Sequence, residues 1–419
     1  MSTVIVGSGI IGVATAFYLS KSEAPSSIHL VDNSDVLFSS ASGFAGGFLA
    51  KDWFNGAMLR LAQLSFQEHQ RLAREQGGPE KWGYRTGTAF SYIPAPETAD
   101  AAKTISGDWL RQGTSRSEEA ANSEEPTQVE EQAPAWLRRY KGDSIDCLSV
   151  DTVAQVDPAA LCRFLLSQCI DAGVHLHQPA TVLSVHADNR GELASVRIAD
   201  TKSSLETDIP CTRVVVTAGA WSPQVFKTLF PDSPVERLPI FSLAGYSLLL
   251  KTPHWKVNTV DTGFQRSHAV YSARMGGMAP EMFSWGDGTV YIAGLNDAAM
   301  PLPKVATEAK KQIQPESMER LKDTARKLVE GELEFTREAL CFRPVTDIGT
   351  PIISRVPDEM LGNGVTTRGG GQGGVFLVAG HGPWGINLSL GTGKVAAEMV
   401  MGRGSSIGDM DFFALSRFV

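Results

Sequence analysis

An α/β fold built around a nucleotide-binding unit is predicted from three observations at the start of the chain. Thr3 to Val6 is a short run of β-branched and apolar residues. Gly7-Ser8-Gly9-Ile10-Ile11-Gly12 interrupts it, and Val13 to Lys21 then has helical character. Ile28 to Val31 is a second β run, closed by Asp32. Strand, glycine turn, helix, strand and terminal acid within about 30 residues is the layout of a Rossmann-like dinucleotide-binding βαβ unit.

Each residue type in that unit has a physical task. Gly7 permits the tight turn, and Gly9 lets the backbone come close to a pyrophosphate. Gly12 lets the helix pack against the strand, so the helix N-terminal amides, with Ile10 and Ile11 in the first turn, face the phosphates. Asp32 follows Gly12 by twenty residues, where a carboxylate accepts hydrogen bonds from an adenosine ribose.

The later elements follow in order. From Gly56 to Arg74, Leu61, Leu64, Phe66 and Leu72 give a partial helical stripe. Thr114 to Glu131 is Ser, Glu, Ala, Asn and Gln with almost nothing apolar. That composition cannot support a core and predicts a mobile acidic surface loop, with an acidic docking segment as the other reading. Asp157-Pro158 opens a helix through Leu161, Phe164, Leu165 and Cys169. Strands are expected at Thr181 to His186, Ala194 to Ile198, Arg213 to Thr217, Leu238 to Lys251 and Thr289 to Ala293. Gln312 to Val329 has Met318, Leu321, Ala325 and Leu328 spaced for one helix face. The tail reads as a strand (Val375 to Ala379), a glycine-rich turn (Gly380 to Gly385) and a helix (Thr392 to Met401).

At 419 residues the chain is long enough for two or three domains. A formal net charge of −8 argues against a nucleic-acid partner, which would need clustered Lys and Arg. The five cysteines lack metal-ligand spacing and are odd in number, so no metal site is expected and the thiols read as reduced and intracellular. No run approaches the roughly 18 apolar residues of a membrane span, and with the first strand starting almost at Met1 no secretory leader is expected. Ser416-Arg417-Phe418-Val419 does not match the Ser-Lys-Leu type of peroxisomal address. A cytoplasmic location is the expectation.

Four further blocks carry a resemblance. Ser39-Ser40-Ala41-Ser42 with Gly46-Gly47 is a small-residue segment after the second strand. Val214-Val215-Val216-Thr217 runs into Ala218-Gly219-Ala220-Trp221. Cys341-Phe342-Arg343-Pro344-Val345-Thr346 is followed by Pro351-Ile352-Ile353. Gly380-His381-Gly382 continues through Trp384-Gly385-Ile386 to Thr392-Gly393-Lys394. In this order they resemble the D-amino-acid oxidase, glycine oxidase and sarcosine oxidase superfamily of flavoenzymes over nearly the whole chain. Pro280-Glu281-Met282-Phe283 and Gly288 to Gly294 resemble a little-characterised fungal branch of it.

The resemblance implies an FAD-binding Rossmann-like domain assembled from 1–55, 150–237 and 341–419. It also implies an α+β substrate domain with a mostly antiparallel sheet from 56–149 and 238–340. It places the small-residue segment (Ser39, Ser40, Ser42, Gly46, Gly47) against the flavin. Val182, Ala218, Gly219 and Trp221 join the cofactor site, as do Cys341, Gly380, Gly382, Trp384, Gly385 and Ile386. Amides of the last glycine loop, aimed by a helix starting at Thr392, would stabilise negative charge on a reduced flavin, and His381 would add a donor or simply fill the turn. Arg343 is implied to clamp a substrate carboxylate and to touch flavin, unless a protein carbonyl or acid ties it down. Cys341 matches the position of a flavin-linking cysteine in sarcosine oxidases, yet Cys-Phe-Arg-Pro is closer to branches with unattached flavin, so non-covalent FAD is expected.

Two features depart from the family pattern. Around Val290 to Ala293 there is no counterpart of the lysine used by oxygen-reactive sarcosine oxidases, and Tyr246 and Tyr271 are both candidates for an active-site tyrosine or for the core. The implied activity is oxidation of a C–N bond in an amine or amino acid. The alternatives are a flavin dehydrogenase with another acceptor, or a flavoprotein with an interaction or regulatory role.

Overall fold

The structure is a computed structural model that describes residues 2–95, 133–256, 265–273, 275 and 277–418. The acidic loop expected at 114–131 lies outside the described residues. In chain order the first strands are β1 (Thr3–Val6), β2 (Ile28–Val31), β3 (Phe48–Ala50), β4 (Arg85–Ile93), β5 (Ser144–Gln155) and β6 (His175–His177). Next come β7 (Ala180–Ala187), β8 (Leu193–Asp200), β9 (Glu206–Pro210), β10 (Arg213–Val216) and β11 (Phe241–Lys251). The last are β12 (Ser267–Ser272), β13 (Glu281–Ser284), β14 (Thr289–Asp297), β15 (Glu334–Val345), β16 (Ile352–Val356) and β17 (Gly374–Ala379). The longer helices are α1 (Ile10–Leu19), α2 (Gly56–Gln76), α3 (Pro158–Ala172), α4 (Pro315–Leu328) and α5 (Gly385–Val400).

The first sheet has the order β16-β17-β10-β1-β2-β6. All its pairs are parallel except β16 with β17. Its central strands are buried on both faces, which is why they read as unbroken apolar runs rather than alternating ones. Helices α1, α3 and α5 cover one face, while the three-stranded sheet β7-β8-β9 covers the other. Helix α3 begins where Asp157 accepts the Ala160 amide at 3.0 Å with Pro158 in the first turn, the cap its sequence signals.

Helix α5 starts at Gly385, seven residues before the expected Thr392. Its glycines sit against other helices: a Cβ on Gly391 would lie 2.9 Å from Ser65 Cβ, and one on Gly393 would lie 2.7 Å from Ala14 Cβ. Close packing against α1 and α2 therefore outweighs the poor helix propensity that made this stretch read as a turn. Lys394 then reaches Glu68 of α2 at 3.0 Å, and Tyr18 of α1 donates to the same carboxylate at 2.8 Å.

The second sheet, of order β15-β11-β14-β13-β12-β4-β5-β3, is antiparallel apart from the β12–β4 pair. One face packs on α4 through Met318, Leu321, Ala325 and Leu328. The opposite face, with Tyr271, Phe283, Tyr291 and Ala293, joins the core that α1 and α5 share. Phe48–Ala50 and Cys341–Val345, grouped by the sequence with the cofactor half, are strands of this second sheet. Their positions in the two halves are set by long-range pairing, which local pattern does not reveal. Among the described residues no helix is long and apolar enough to cross a membrane, and no group of three or more His, Cys, Asp or Glu could hold a metal ion.

Candidate active site

Strand β1 leads directly into the glycine turn. Gly7 has φ 102°, and a Cβ there would come within 2.6 Å of Ala218 Cα, so both conformation and space require glycine. Gly9 differs: its backbone is extended (φ −68°, ψ −179°), and a Cβ would meet only Ser42 Oγ at 3.1 Å. Gly12 faces inward, where a Cβ would run into the Gly7 carbonyl oxygen and lie 2.8 Å from Thr217 Oγ1. Ser42 Oγ accepts the Ile10 amide at 3.0 Å, which ties the small-residue segment to the start of α1.

Asp32 closes this end of the site. Its Oδ2 accepts the Ser8 amide at 2.8 Å and its Oδ1 the Ser34 amide at 2.9 Å. Burial pushes the carboxyl above the usual range, and those two amides oppose the shift. Each carboxylate oxygen keeps lone-pair capacity for a ribose hydroxyl.

From Asp32 a cleft runs between the two sheets to β15, with about 1330 Å³ of open space including its mouth. At the nucleotide end its wall is made by Gly7, Gly9, Ile10, Ile11 and Asp32, with Val182 from β7. Ser39, Ser40 and Ser42 form one side, and Ala218, Gly219 and Trp221 the other. The far end is closed by Cys341 and Arg343 of β15 and by His381, Gly382, Gly385 and Ile386 around the α5 N-terminus.

Five expected residues stand behind the wall. Gly12 is the helix–strand contact just described. Gly46 lies under Phe283, and its carbonyl accepts Trp285 Nε1 at 3.0 Å. Gly47 (φ 80°) abuts the Val156 carbonyl, while Gly380 (φ 87°) turns over Thr346. Trp384 packs into an aromatic cluster, 4.7 Å from the Phe54 ring centroid. Neither tyrosine candidate lines the cleft. Tyr246 belongs to the core beneath α4, and Tyr271 packs on Phe48, Trp53 and Phe283.

The chemistry at the far end is set by burial. His381 Nε2 lies 3.1 Å from Thr392 Oγ1, whereas its buried Nδ1 has no hydrogen-bond partner among the described residues. Burial holds the imidazole pKa down to about 3, so the ring is neutral and can donate or accept but not act as an acid near pH 7. An orphaned buried nitrogen on a cleft wall is an atom that a polar ligand would satisfy. With Gly9 open to the cleft and Asp32 at its end, the donor set fits a flavin dinucleotide. Cys341 is fully buried, and desolvation raises its thiol pKa against the nearby Arg343 and Arg337, so it remains a thiol.

Other wall residues carried weaker signals. Thr217 donates to the Gly7 and Val6 carbonyls at 2.7 and 3.0 Å; its hydroxyl at the end of an all-valine run was a legible hint. Ser40 Oγ accepts the Phe342 amide at 3.1 Å, joining β15 to the small-residue segment. Phe38 lines the cleft with φ 61°, a conformation that no pattern in the sequence announces.

The sequence profile of the family described as FAD dependent oxidoreductase (DAO) matches residues 2–399. A provisionally named oxidoreductase of Schizosaccharomyces pombe is 24% identical over 425 residues, spanning 95% of this chain and 93% of the relative. Glycine oxidase from Geobacillus kaustophilus superposes with a TM-score of 0.71 at 17% identity, covering 100% of this chain and 99% of that one. Iminodiacetate oxidase (IdaA) from Chelativorans sp. BNC1 gives 0.68 at 18% identity, with 98% of each chain covered. The two solved structures share the fold, the profile covers nearly the whole sequence, and the cleft has the donors FAD needs: the chain belongs to the DAO family of FAD-dependent oxidoreductases, with FAD as its cofactor.

Proposed function

We propose that the protein oxidises the C–N bond of a small amine bearing a carboxylate. The observation that carries this reading is Arg343, a guanidinium on the wall of the flavin cleft whose hydrogen bond, among the described residues, goes to a neutral amide. Such a cation can take a carboxylate in a bidentate pair. The similar structures support the substrate class, since glycine and iminodiacetate each join an amine to a carboxylate.

When bound, the flavin supplies the two-electron acceptor for a hydride leaving the carbon next to nitrogen, and water hydrolyses the imine product. The chain's own residues bind and orient. Glycine-loop amides and Asp32 hold the nucleotide half, and the α5 N-terminus at Gly385 places partial positive charge at the other end of the cleft. Arg343 fixes the carboxylate, and so the reacting carbon, relative to that end. Neutral His381 offers a hydrogen bond without adding charge. The apolar wall excludes water and favours the neutral, electron-donating form of the amine.

A second reading concerns the acceptor. On β14, Val290 to Ala293 carries no lysine, and none lines the cleft among the described residues, which favours a dehydrogenase passing electrons to something other than oxygen. Mixing holoenzyme anaerobically with a panel of amino acids and their decarboxylated analogues tests both readings. Bleaching by the acids, followed by slow colour return in air and fast return with a dye acceptor, is the expected result. Bleaching by amines alone would overturn the carboxylate reading, and fast aerobic return would overturn the dehydrogenase reading.

A further inference from the structure

Arg343 does not stand straight out from β15; it crosses a strand. On β11, Gly245 pairs with Cys341 of β15 on one side and with Asn296 of β14 on the other. A Cβ on Gly245 would lie 2.6 Å from Arg343 Cζ and 2.8 Å from Nη2, with Nη1 closer still. The guanidinium therefore lies over bare backbone that any other residue would cover. Gly245 is not among the glycines with positive φ, so space rather than conformation is what requires glycine there. Beyond it, Arg343 Nη1 donates to Asn296 Oδ1 at 2.6 Å.

Asn296 is aimed at that point by a break in the ladder. The β11–β14 register shifts between Gly245 and Ser247, so that Ser247 pairs with Ala293 but Gly245 with Asn296. Two residues of β14, Gly294 and Leu295, thus stand against one of β11, and Gly294 has φ 132°. Strict alternation from Ala293 would bring Leu295 to the cleft face. The extra residue turns Leu295 into the core beneath α4 and delivers Asn296 in its place, the kind of re-aiming that bulges perform.

The geometry points to Asn296 as a positioning residue that holds the Arg343 guanidinium for a substrate carboxylate, with Gly245 giving the side chain its path. This rests on the carboxylate reading above. An amide is the fitting partner: it accepts from Nη1 and fixes the plane of the fork, yet leaves the positive charge and the Nε and Nη2 donors for the ligand. A carboxylate in its place would keep the hydrogen bond and neutralise the cation.

That difference supplies the test. Holoenzyme is titrated with acetate and with benzoate, and the dissociation constant is read from the flavin absorbance change. Flavin content and thermal midpoint are recorded for every variant. Wild type should bind, and Arg343→Ala should not. Asn296→Ala should weaken binding about tenfold. The near-isosteric Asn296→Asp should weaken it further, about 30-fold or more, although it preserves size and hydrogen bond. Gly245→Ala should also weaken binding with flavin content unchanged, because the end of a flexible side chain can move aside. A merely structural Asn296 would give the opposite order, with the aspartate milder than the alanine. If Arg343→Ala abolishes binding but both Asn296 variants keep the wild-type constant, the positioning role fails and the carboxylate reading stands. If neither acid perturbs the wild-type flavin, or Arg343→Ala binds both normally, the carboxylate reading itself fails.

Discussion

Gly9 and Gly12 are three residues apart in the glycine turn, yet the structure predicts opposite consequences for filling them. At Gly9 the backbone is extended, and a Cβ would touch only Ser42 Oγ, at 3.1 Å. Gly9→Val should therefore leave the apoprotein folded, with a thermal midpoint close to wild type, while its methyl groups occupy cleft space next to the α1 N-terminus. Losing about two charge-assisted amide–phosphate hydrogen bonds at roughly 1.5–3 kcal/mol each costs about 3–6 kcal/mol. At about 1.4 kcal/mol per decade that is a 10²- to 10⁴-fold weaker FAD complex, roughly. At Gly12 a Cβ would strike the Gly7 carbonyl oxygen and crowd Thr217 Oγ1 at 2.8 Å. Gly12→Ala should therefore destabilise the fold itself, by the 1–3 kcal/mol typical of overpacking, approximately. Fluorescence-quenching titration of each apoprotein with FAD, beside thermal melts without it, separates the two effects. A Gly9→Val protein that binds FAD within a few-fold of wild type would show that the turn does not approach the pyrophosphate, and the assignment of the cleft's nucleotide end would fall.

Three other outcomes are expected. Arg343→Ala should lower kcat/KM for a carboxylate substrate by about 30-fold to several thousand-fold, the 2–5 kcal/mol or so of an unpaired buried charge, and far less for the decarboxylated amine; equal losses would make Arg343 structural. Acid precipitation should leave the yellow colour in the supernatant, because the Cys341 thiol is held protonated by burial; a fluorescent flavin band that travels with the denatured chain and disappears in Cys341→Ala would reverse this. Stability should fall as the pH drops from 6.5 toward 4. Burial lowers His69 and His268 from 6.5 to about 4, so the unfolded chain takes up protons first, and stability present above pH 6.5 is lost on the way down. His69 alone contributes on the order of 3 kcal/mol; a urea midpoint that does not change between pH 7 and 4.5 would contradict the buried neutral assignment.

The nucleotide end of the site was legible because its signals are local. A β-branched run, three glycines and an acid at the end of the next strand sit within one βαβ unit, and the structure realises Thr3–Val6 and Ile28–Val31 as read. The Asp157 cap was equally local. The far end is different in kind. Gly46, Gly47 and Trp384 were expected at the cofactor only through the resemblance of their blocks to the family, and their surroundings are supplied by Phe283, Val156 and Phe54, each distant in sequence. The helix at Gly385 was hidden for the same reason, since its glycines are favourable only against α1 and α2. Asn296 left no local signal: its place depends on a register shift between β11 and β14.

That division has a chemical consequence. The dinucleotide end is built largely from backbone, with turn amides from β1 into α1 and one carboxylate, Asp32, braced by the Ser8 and Ser34 amides. The far end is built from side chains on β15, whose residues alternate between two jobs. Leu340 and Phe342 fill the core beneath α4, with Phe342 also reaching the cleft wall, while Cys341 and Arg343 line the cleft from the other face of the strand. One strand thus belongs to the second sheet by its hydrogen bonds and to the cofactor cleft by its side chains. Ser40 fastens the two through the Phe342 amide. Substitutions on the cleft face of β15, or on the strands across which Arg343 reaches, can change what binds without disturbing the turn that holds the nucleotide. Phe342 links the two roles, because its ring fills the core beneath α4 while its amide is held by Ser40 of the small-residue segment.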